Sequence, residues 1–551
     1  MFGPNSARYD FGPSHPLTPR RFGPGIDLLE HVGARPGLAP EPAADEELLM
    51  CHTARYVAAV KRFSKDPWGP PDAGIGPGGD NPSFAGMHEA GAAVAGGSLR
   101  AMDAVLRGDV EHAFHPGGGL HHAMRDRASG FCIYDDPALA ISRARLEGLR
   151  VLYLDFDVHH GDGIQAIHWD DPGVLTLSFH ESGRYLFPGT GFLGEIGEGE
   201  AAGTSLNVTF EPGAGEGAWL SAVSSLVPAV AAAFGPDIVV SQHGCDTHAW
   251  DPLAHLRVTT TAMGEAARLV DRVAHRWASG RWLSTGGGGY DAYRVVPRVW
   301  SLVWLAGAHL PAPTATPEAW RERWATEAAR FGQAPLPSEF DDEPNAGEPV
   351  DAEQRAAEAA SLAGLGLVEM VAVPALLREA ARRGWWDALA DHAAAGNAPT
   401  GAATLLDPLT EPDLARLAIA PRVVAPSEPG AVKELLLAAL RGSDATMVAA
   451  VAGDTIVGLA VAASGQLLAL GVAPGFRRQG LAGRLLTALV GRVGGQIEAL
   501  VTVAERDPVE PLDHALRASI ARRLLERAGF AVEAAASLVE VDPHALRGIR
   551  R

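Results

Sequence analysis

The chain reads as an α/β protein: a large parallel-sheet domain with helices on both faces, followed by a smaller α+β domain. Three observations predict this. Over residues 1 to about 310, short apolar runs alternate with helical patterns and end in Gly, His or Asp. They are VLYLDFDV (Val151–Val158), VLTLSFH (Val174–His180), DIVVSQHG (Asp237–Gly244) and RWLSTGGGGY (Arg281–Tyr290). Runs that are apolar throughout belong to buried parallel strands, whose carboxyl edge carries the functional loops. Next, residues 311–350 (PAPTATPEAW…PLPSEFDDEPNAGEP) are rich in Pro and acid, the composition of a domain boundary. Third, an Ala-rich helical stretch over 353–396 is broken by NAPTGAATLLDP, and a second α/β pattern occupies about 420–545. The expected division is a first domain over 1–315, a linker and helical connector over 316–419, and a second domain over 420–551.

Composition narrows the function classes. A chain of 551 residues exceeds one ordinary core. With 46 basic against 66 acidic residues the net charge is −20, which argues against a sequence-independent nucleic-acid surface. Cys51, Cys132 and Cys245 have no paired spacing, so a reducing compartment is expected and a disulfide framework is not. MFGPNSARYDFG lacks the basic-then-apolar pattern of a secretory signal. The longest apolar window, Thr455–Val472, is interrupted by Ser464, Gly465 and Gln466 and fits two strands better than a membrane span. Together these imply a cytoplasmic protein with no membrane or nucleic-acid partner.

The chemistry concentrates in VLYLDFDVHHGDG (151–163). Side chains two apart on a strand share a face, so Asp155, Asp157 and His159 point one way. On a buried strand that face is costly unless a cation or protonated partners compensate it. Asp157 and His159 form a carboxylate–imidazole chelating pair, and a second strand end supplies Asp246 in SQHGCDTHAWDP. In HPGGGLHHAMRDRASGFC a triple glycine precedes His121 and His122. Alone, that pair reads as surface or core histidines. Asp155 and Asp162, each able to hold one imidazole as in a His–Asp dyad, favour a catalytic reading. Tyr290 follows four glycines at a strand end, where a phenol either donates to a developing oxyanion or caps a Gly-rich turn.

Seven ordered stretches resemble the histone-deacetylase superfamily, in particular the bacterial acetoin-utilisation deacetylases. They are RYDFGPSHPLTPRR, GGDNPSFAGMHEAG, HPGGGLHHA, DFDVHHGDG, YLFPGTG, GCDTHAWDP and GGGGYDAYRVVPRVW, spanning residues 8 to 300. The resemblance implies an arginase/deacetylase-like fold and hydrolysis of an acetyl amide, with zinc or iron(II) on Asp157, His159 and Asp246. His122, paired with Asp162, becomes the general acid–base. His121, paired with Asp155, gives electrostatic support, and Tyr290 polarises the acetyl carbonyl. Gly130, Phe131 and Phe187 would line a narrow acetyl-lysine tunnel, although both Phe also suit a core, and Asp80 of GPGGDNPSF would stand at its rim. A structural potassium ion would use Asp155 and Ser178 with backbone oxygens of Asp157, His159 and Phe179. The related binuclear manganese hydrolases of arginase type carry a further Asp ligand two residues beyond the His of their DxH motif. That position here is Gly161, which implies one metal ion and not two.

In the second domain, QLLALGVAPGFRRQGLAGRLLTALVGRV places R-x-x-G-x-A (Arg477, Gly480, Ala482) between a strand (Leu467–Val472) and an amphipathic helix. Backbone amides at such a helix start bind a pyrophosphate or merely cap the helix. Met447–Ala462 reads as a hairpin turning at Gly453–Asp454, and Ala521–Glu533 as a helix stopped by Gly529 and then a strand. This order resembles the GCN5-related N-acetyltransferases over about 420–545. It implies acetyl-CoA on the amides of Arg477, Arg478, Gln479, Gly480, Leu481 and Ala482, with Val472 beside the pantetheine arm. That family often has a final-helix tyrosine in LYxxxGF, and this chain has LLERAGF, with Leu525 in its place. The two resemblances together imply three readings: an enzyme removing acetyl groups from lysine side chains, with a second domain that binds acetyl-CoA and acts as an N-acetyltransferase or not; an amidohydrolase for acetylpolyamines on the same scaffold; and an acetyl-CoA-sensing module whose output is the deacetylase half.

Overall fold

The computed structural model describes residues 7–39, 41–343 and 346–382, and then 404–406, 446–452, 455–463, 465–472, 481–493, 496–501, 514–534 and 546–550. Contacts divide the chain into two units: 1–227 with 234–368, and 228–233 with 369–551.

The first unit carries six strands: β1 (His112–His115), β2 (Val151–Asp155), β3 (Val174–Glu181), β4 (Ser205–Phe210), β5 (Ile238–Gln242) and β6 (Trp282–Thr285). All pair in parallel, in the order β1-β6-β5-β2-β3-β4. Every residue of β2, β3, β5 and β6 is buried, as a sheet covered on both faces requires. The helices that begin before β5 are α1 (Phe22–His31), α2 (Asp45–Leu48), α3 (Ala54–Lys65), α4 (Met87–Arg107), α5 (Asp136–Leu146), α6 (Asp162–Ile167) and α7 (Glu216–Phe234). After it come α8 (Thr260–Trp277), α9 (Val296–Gly307), α10 (Glu318–Arg330) and α11 (Ala352–Arg382). Val151, Tyr153, Val174 and Val240 pack with Leu99, Met102 and Ile141 of α4 and α5 on one face. On the other face Phe156 stacks on Phe179 at 5.6 Å and meets Trp219 of α7 at 5.8 Å.

From β2 the chain winds outward through β3 to β4, then returns to lay β5 against the other side of β2. The strand order therefore reverses between β2 and β5, the place where open parallel sheets bind ligands beyond their carboxyl ends. The strand expected over Val151–Val158 ends at Asp155, because the next amides turn inward. Asp157 N–H donates to Asp155 Oδ1 at 3.2 Å and His159 N–H to Asp157 Oδ1 at 3.0 Å, so side chains replace the ladder.

Residues 311–350 do not behave as the linker that their composition suggested. The first unit runs on to Val368, past residue 315. Trp320 and Phe340 pack with Leu28 and Leu302, and Trp320 Nε1 donates to the Pro24 carbonyl at 2.9 Å. The fully buried Arg298 guanidinium on α9 donates to Asp342 at 2.9 Å, which also accepts from His248 Nε2 at 2.9 Å and Thr260 N–H at 2.7 Å. Without this segment a buried cation is unpaired, a loss on the order of 3–5 kcal/mol. Pro and acid content could not report that a Trp, a Phe and one Asp plug into the core.

The second unit is a mixed sheet in the order β12-β13-β11-β10-β9-β8-β7. Its strands are β7 (Thr404–Leu406), β8 (Thr446–Ala452), β9 (Thr455–Ala463), β10 (Gln466–Val472), β11 (Ile497–Val501), β12 (Ala531–Ala534) and β13 (Leu546–Arg550). The expected hairpin is β8–β9, which pairs Ala452 with Thr455; Gly453 and Asp454 themselves lie outside the described residues. The apolar window Thr455–Val472 is indeed two strands, and α12 (Leu481–Arg492) follows them. Its Leu481, Leu485 and Leu489 pack on Val448 and Ala460. Helix α13 (His514–Arg527) stops ahead of Gly529, whose φ of +88° suits glycine, and β12 follows. Leu525 is buried with Ile497 and Phe530, which accounts for an apolar residue there. Arg477, Arg478, Gln479 and Gly480 lie outside the described residues. Among the described residues no helix is long and apolar enough to cross a membrane.

Candidate metal centre and active site

The turn after β2 and the loop after β5 meet at the strand-order reversal and bring Asp157, His159 and Asp246 together. Their donor atoms all lie within 4.8 Å of one another. His159 Nδ1 stands 3.0 Å from Asp157 Oδ1 and 3.2 Å from Asp246 Oδ2. A tetrahedral ion with bonds of about 2.0–2.1 Å has donor–donor edges of about 3.3 Å, so the spacing suits one ion. The electrostatics favour positive charge there. Burial, then the charge of Asp157, raises Asp246 to about 6. Burial acts the same way on Asp157, but His121, His159 and Gln242 hold it well below the usual carboxylate range. Burial disfavours a charged His159, yet both carboxylates outweigh it and hold the ring well above its ordinary pKa. Two buried acids and one imidazole are thus competing for positive charge, the demand that a divalent ion meets. The donor set fits zinc or iron(II).

Surrounding groups fix the ligands. Gln242 Nε2 donates to Asp157 Oδ2 at 2.7 Å, Gly288 N–H to the same oxygen at 2.8 Å, and Val158 N–H to Asp246 Oδ1 at 2.9 Å. Backbone comes that close only where Cβ is missing. A Cβ on Gly288 would stand 2.0 Å from Asp246 Oδ2, and one on Gly244 2.1 Å from Asp157 Oδ2. At Gly161 it would meet Asp155 Oδ2 at 2.2 Å, so this backbone has no room for an acidic ligand there.

Both histidines of the HPGGGLHHA loop are buried beside the centre. His121 Nδ1 lies 2.8 Å from Asp155 Oδ2, and His122 Nδ1 2.7 Å from Asp162 Oδ1. Burial pulls His121 down, but Asp155 and Asp157 together raise it to about 10. Burial, then the charge of His121, lowers His122 to about 4 despite Asp162. His122 is therefore neutral at neutral pH. With Nδ1–H donated to Asp162, its Nε2 lone pair is left to accept a proton.

Phe187 lies edge-on to His122 at 5.0 Å, and Phe131 edge-on to Tyr290 at 6.0 Å. Phe131 has φ of +68°, a conformation rare for a bulky residue, and its carbonyl accepts from Tyr9 Oη at 2.8 Å. A Cβ on Gly130 would strike His122 at 2.4 Å and Phe187 at 2.8 Å, so this glycine admits both rings. Asp80 is exposed, and its carbonyl is bonded to His15 Nε2 at 3.2 Å. The His15 ring packs on Phe131 at 4.5 Å, joining the Asp80 loop to the aromatic pair. Tyr290 N–H donates to Asp251 at 2.8 Å; burial, then Asp246 and Asp157, push its phenol well above 10, so it stays a donor. Ser178 is cross-strand from Asp155, and its Oγ lies 2.8 Å from His180 Nδ1.

Arg21 escaped sequence reasoning. Its buried guanidinium donates to the Gly287 carbonyl at 2.6 Å and packs against Trp300. In TPRR it resembles an ordinary surface charge at a helix start, and only the fold turns it inward. Gln242 escaped likewise, as one polar residue closing an apolar strand.

A buried carboxylate–imidazole triad flanked by two His–Asp dyads, at the carboxyl edge of a parallel sheet, defines a metallohydrolase-type centre. The model described as "Histone deacetylase domain" matches residues 15–306, and the chain belongs to that family of deacetylase hydrolases. It is 41% identical over 349 residues to the acetoin utilization protein AcuC of Bacillus subtilis, covering 62% of this chain and 89% of that protein. The AcuC of Staphylococcus xylosus is 35% identical over 343 residues, covering 61% and 88%. The crystal structure of an HDAC homolog from Aquifex aeolicus aligns with a TM-score of 0.56 at 27% identity, over 66% of this chain and 98% of that one. An HDAC homolog complexed with SAHA aligns with the same values.

The glycine at 288 gives a direct check. Gly288→Ala is expected to lose most bound metal with the fold kept, read by elemental analysis beside far-ultraviolet circular dichroism. Metal content equal to wild type would contradict the crowding.

Proposed function

We propose that this chain hydrolyses the acetyl amide of acetyl-lysine side chains in proteins, with one zinc or iron(II) ion held by Asp157, His159 and Asp246. The observation that carries the reading is the convergence on one buried triad of a neutral His122 and the phenol loop of Tyr290. An ion held by Asp157, His159 and Asp246 would supply Lewis-acid polarisation of the acetyl carbonyl and a water of pKa lowered toward ~7. His122 Nε2 accepts the proton of the attacking water and returns it to the leaving lysine amine, with Asp162 holding its Nδ1–H. Such a group contributes roughly 10²–10⁴-fold. His121 on Asp155 keeps positive charge nearby. Tyr290 donates to the oxygen that gains charge as the tetrahedral centre forms, worth on the order of 10²–10³-fold. Phe131, Phe187 and Gly130 shape an apolar sleeve for the acyl-lysine stem. Asp155 and Ser178, with the backbone oxygens of Asp157, His159 and Phe179, offer the oxygen-only donors that a potassium ion takes.

Asp80 distinguishes a protein substrate from an acetylpolyamine. The Asp80 backbone carbonyl is tied through His15 to Phe131, and its exposed carboxylate can accept hydrogen bonds from substrate backbone amides, which a polyamine lacks. Asp80→Ala is expected to lower kcat/KM for acetyl-lysine peptides roughly 10- to 150-fold and to change acetylspermidine hydrolysis much less. Equal losses on both, or a wild-type preference for acetylspermidine, would favour the polyamine reading.

For the second unit we propose acetyl-CoA binding, with or without acetyl transfer. One observation supports it: among the described residues the parallel pairs between β10 and β11 are Gln466–Glu498 and Leu467–Ala499, near the start of β10. Pairing at that end, with α12 beginning after the other, suits an extended arm ending in a pyrophosphate. Isothermal titration of the full chain with acetyl-CoA is expected to give one site, lost in Gly480→Glu. Absence of heat with folded wild-type protein would contradict the assignment.

A further inference from the structure

A second cluster of metal-ligating side chains lies at the opposite edge of the first sheet. His112 opens β1 and pairs with Trp282, the first residue of β6, whose other end leads into the Tyr290 loop. Asp271 and His275, four residues apart on one face of α8, reach the same point. His309, just beyond α9, completes the group with a φ of +55°. The donor atoms of these four residues all lie within 4.8 Å of one another.

The distances approach those of a coordination shell. His275 Nε2 and His309 Nε2 are 3.1 Å apart. Asp271 Oδ1 lies 3.0 Å from His309 Nε2, 3.5 Å from His275 Nε2 and 3.7 Å from His112 Nε2. A tetrahedral zinc with bonds of about 2.0–2.1 Å has edges of about 3.3 Å. These four pairs lie within a few tenths of an ångström of that value.

The hydrogen-bonding pattern points the same way. His112 Nδ1 donates to the Gly307 carbonyl at 2.7 Å, so its Nε2 presents a lone pair to the cluster. That Nε2 is buried without a hydrogen-bond partner, in a side chain 10% exposed. It faces a carboxylate oxygen, acceptor against acceptor. A ring nitrogen anchored to a backbone carbonyl while the other points at converging donors is the usual arrangement of a ligating histidine.

We propose that His112, Asp271, His275 and His309 form a second, structural binding site for a zinc-class divalent cation, separate from the catalytic centre. Three imidazoles and one carboxylate select a borderline ion over magnesium or calcium, which prefer oxygen shells. Four protein ligands close a tetrahedron and leave no position for substrate, so the ion is structural. It clamps edge strand β1 to α8 and to the chain leaving α9. His275 and His309, 39% and 52% exposed, give the ion access from solvent.

The test uses the tag-free full chain, stripped with a chelator and reloaded with zinc sulfate. Elemental analysis is expected to show one equivalent more zinc in wild type than in His275→Gln/His309→Gln, with hydrolysis of acetyl-lysine peptide retained in both. That difference is independent of what the catalytic centre takes up, so failure here and failure of the deacetylase reading give separate results. Zinc is also expected to raise the thermal midpoint of wild type more than that of the variant, and excess magnesium to leave the difference intact. Equal zinc content in the folded wild type and variant, or in folded wild type and His275→Gln, overturns the proposal.

Discussion

Two carboxylates buried side by side hold the first unit to its design. Asp157 and Asp246 are essentially inaccessible to solvent and share His159. The effective cost of burying each ion uncompensated is several kcal/mol. Several neighbours supply N–H dipoles or positive charge: Gln242, the amides of Val158 and Gly288, His121 with its pKa raised to about 10, and Arg21 behind the Gly287 carbonyl. The glycines of the GGGGY loop let backbone close on these oxygens, so that loop is shaped by the acids it covers. In the proposed function a metal ion would complete the arrangement and give the buried acids a role.

The loops that carry the histidines and the tyrosine are held from behind. Asp136, at the start of α5, accepts from Gly119 N–H at 3.0 Å and Leu120 N–H at 2.8 Å, fixing the turn that presents His121 and His122. Asp251 accepts from Tyr290 N–H, and Gln333 Nε2 donates to the Tyr290 carbonyl at 3.1 Å. Gln333 belongs to the segment expected to be a linker. That segment therefore supports the Tyr290 loop, and the first unit needs it for more than its core.

Legibility followed the range of the physics involved. Strands β2, β3, β5 and β6 were readable because burial on both faces leaves an uninterrupted apolar run, and their polar ends were readable because Asp, His and Gly are out of place beside one. The β8–β9 hairpin and the stop at Gly529 were readable from local turn chemistry. Arg21, Asp136 and Gln242 were not, since each is ordinary in its own stretch and acquires meaning only from partners far along the chain. Likewise His112, Asp271, His275 and His309 come from three separate stretches with no shared motif. The length of the first unit was misjudged because composition reports turns and charge, not which of the residues among them enter a core.

Whether the Asp157–His159–Asp246 centre runs amide hydrolysis through a metal ion can be read in the release of acetate from an acetyl-lysine peptide. Full-length wild type and Asp246→Asn are assayed as purified, after chelation, and after zinc or iron(II) is added back. Wild type is expected to release acetate, to lose that activity on chelation and to regain it with added metal, with no restoration in Asp246→Asn. Release that survives complete metal removal, or wild-type turnover in Asp246→Asn, would contradict a metal-dependent centre.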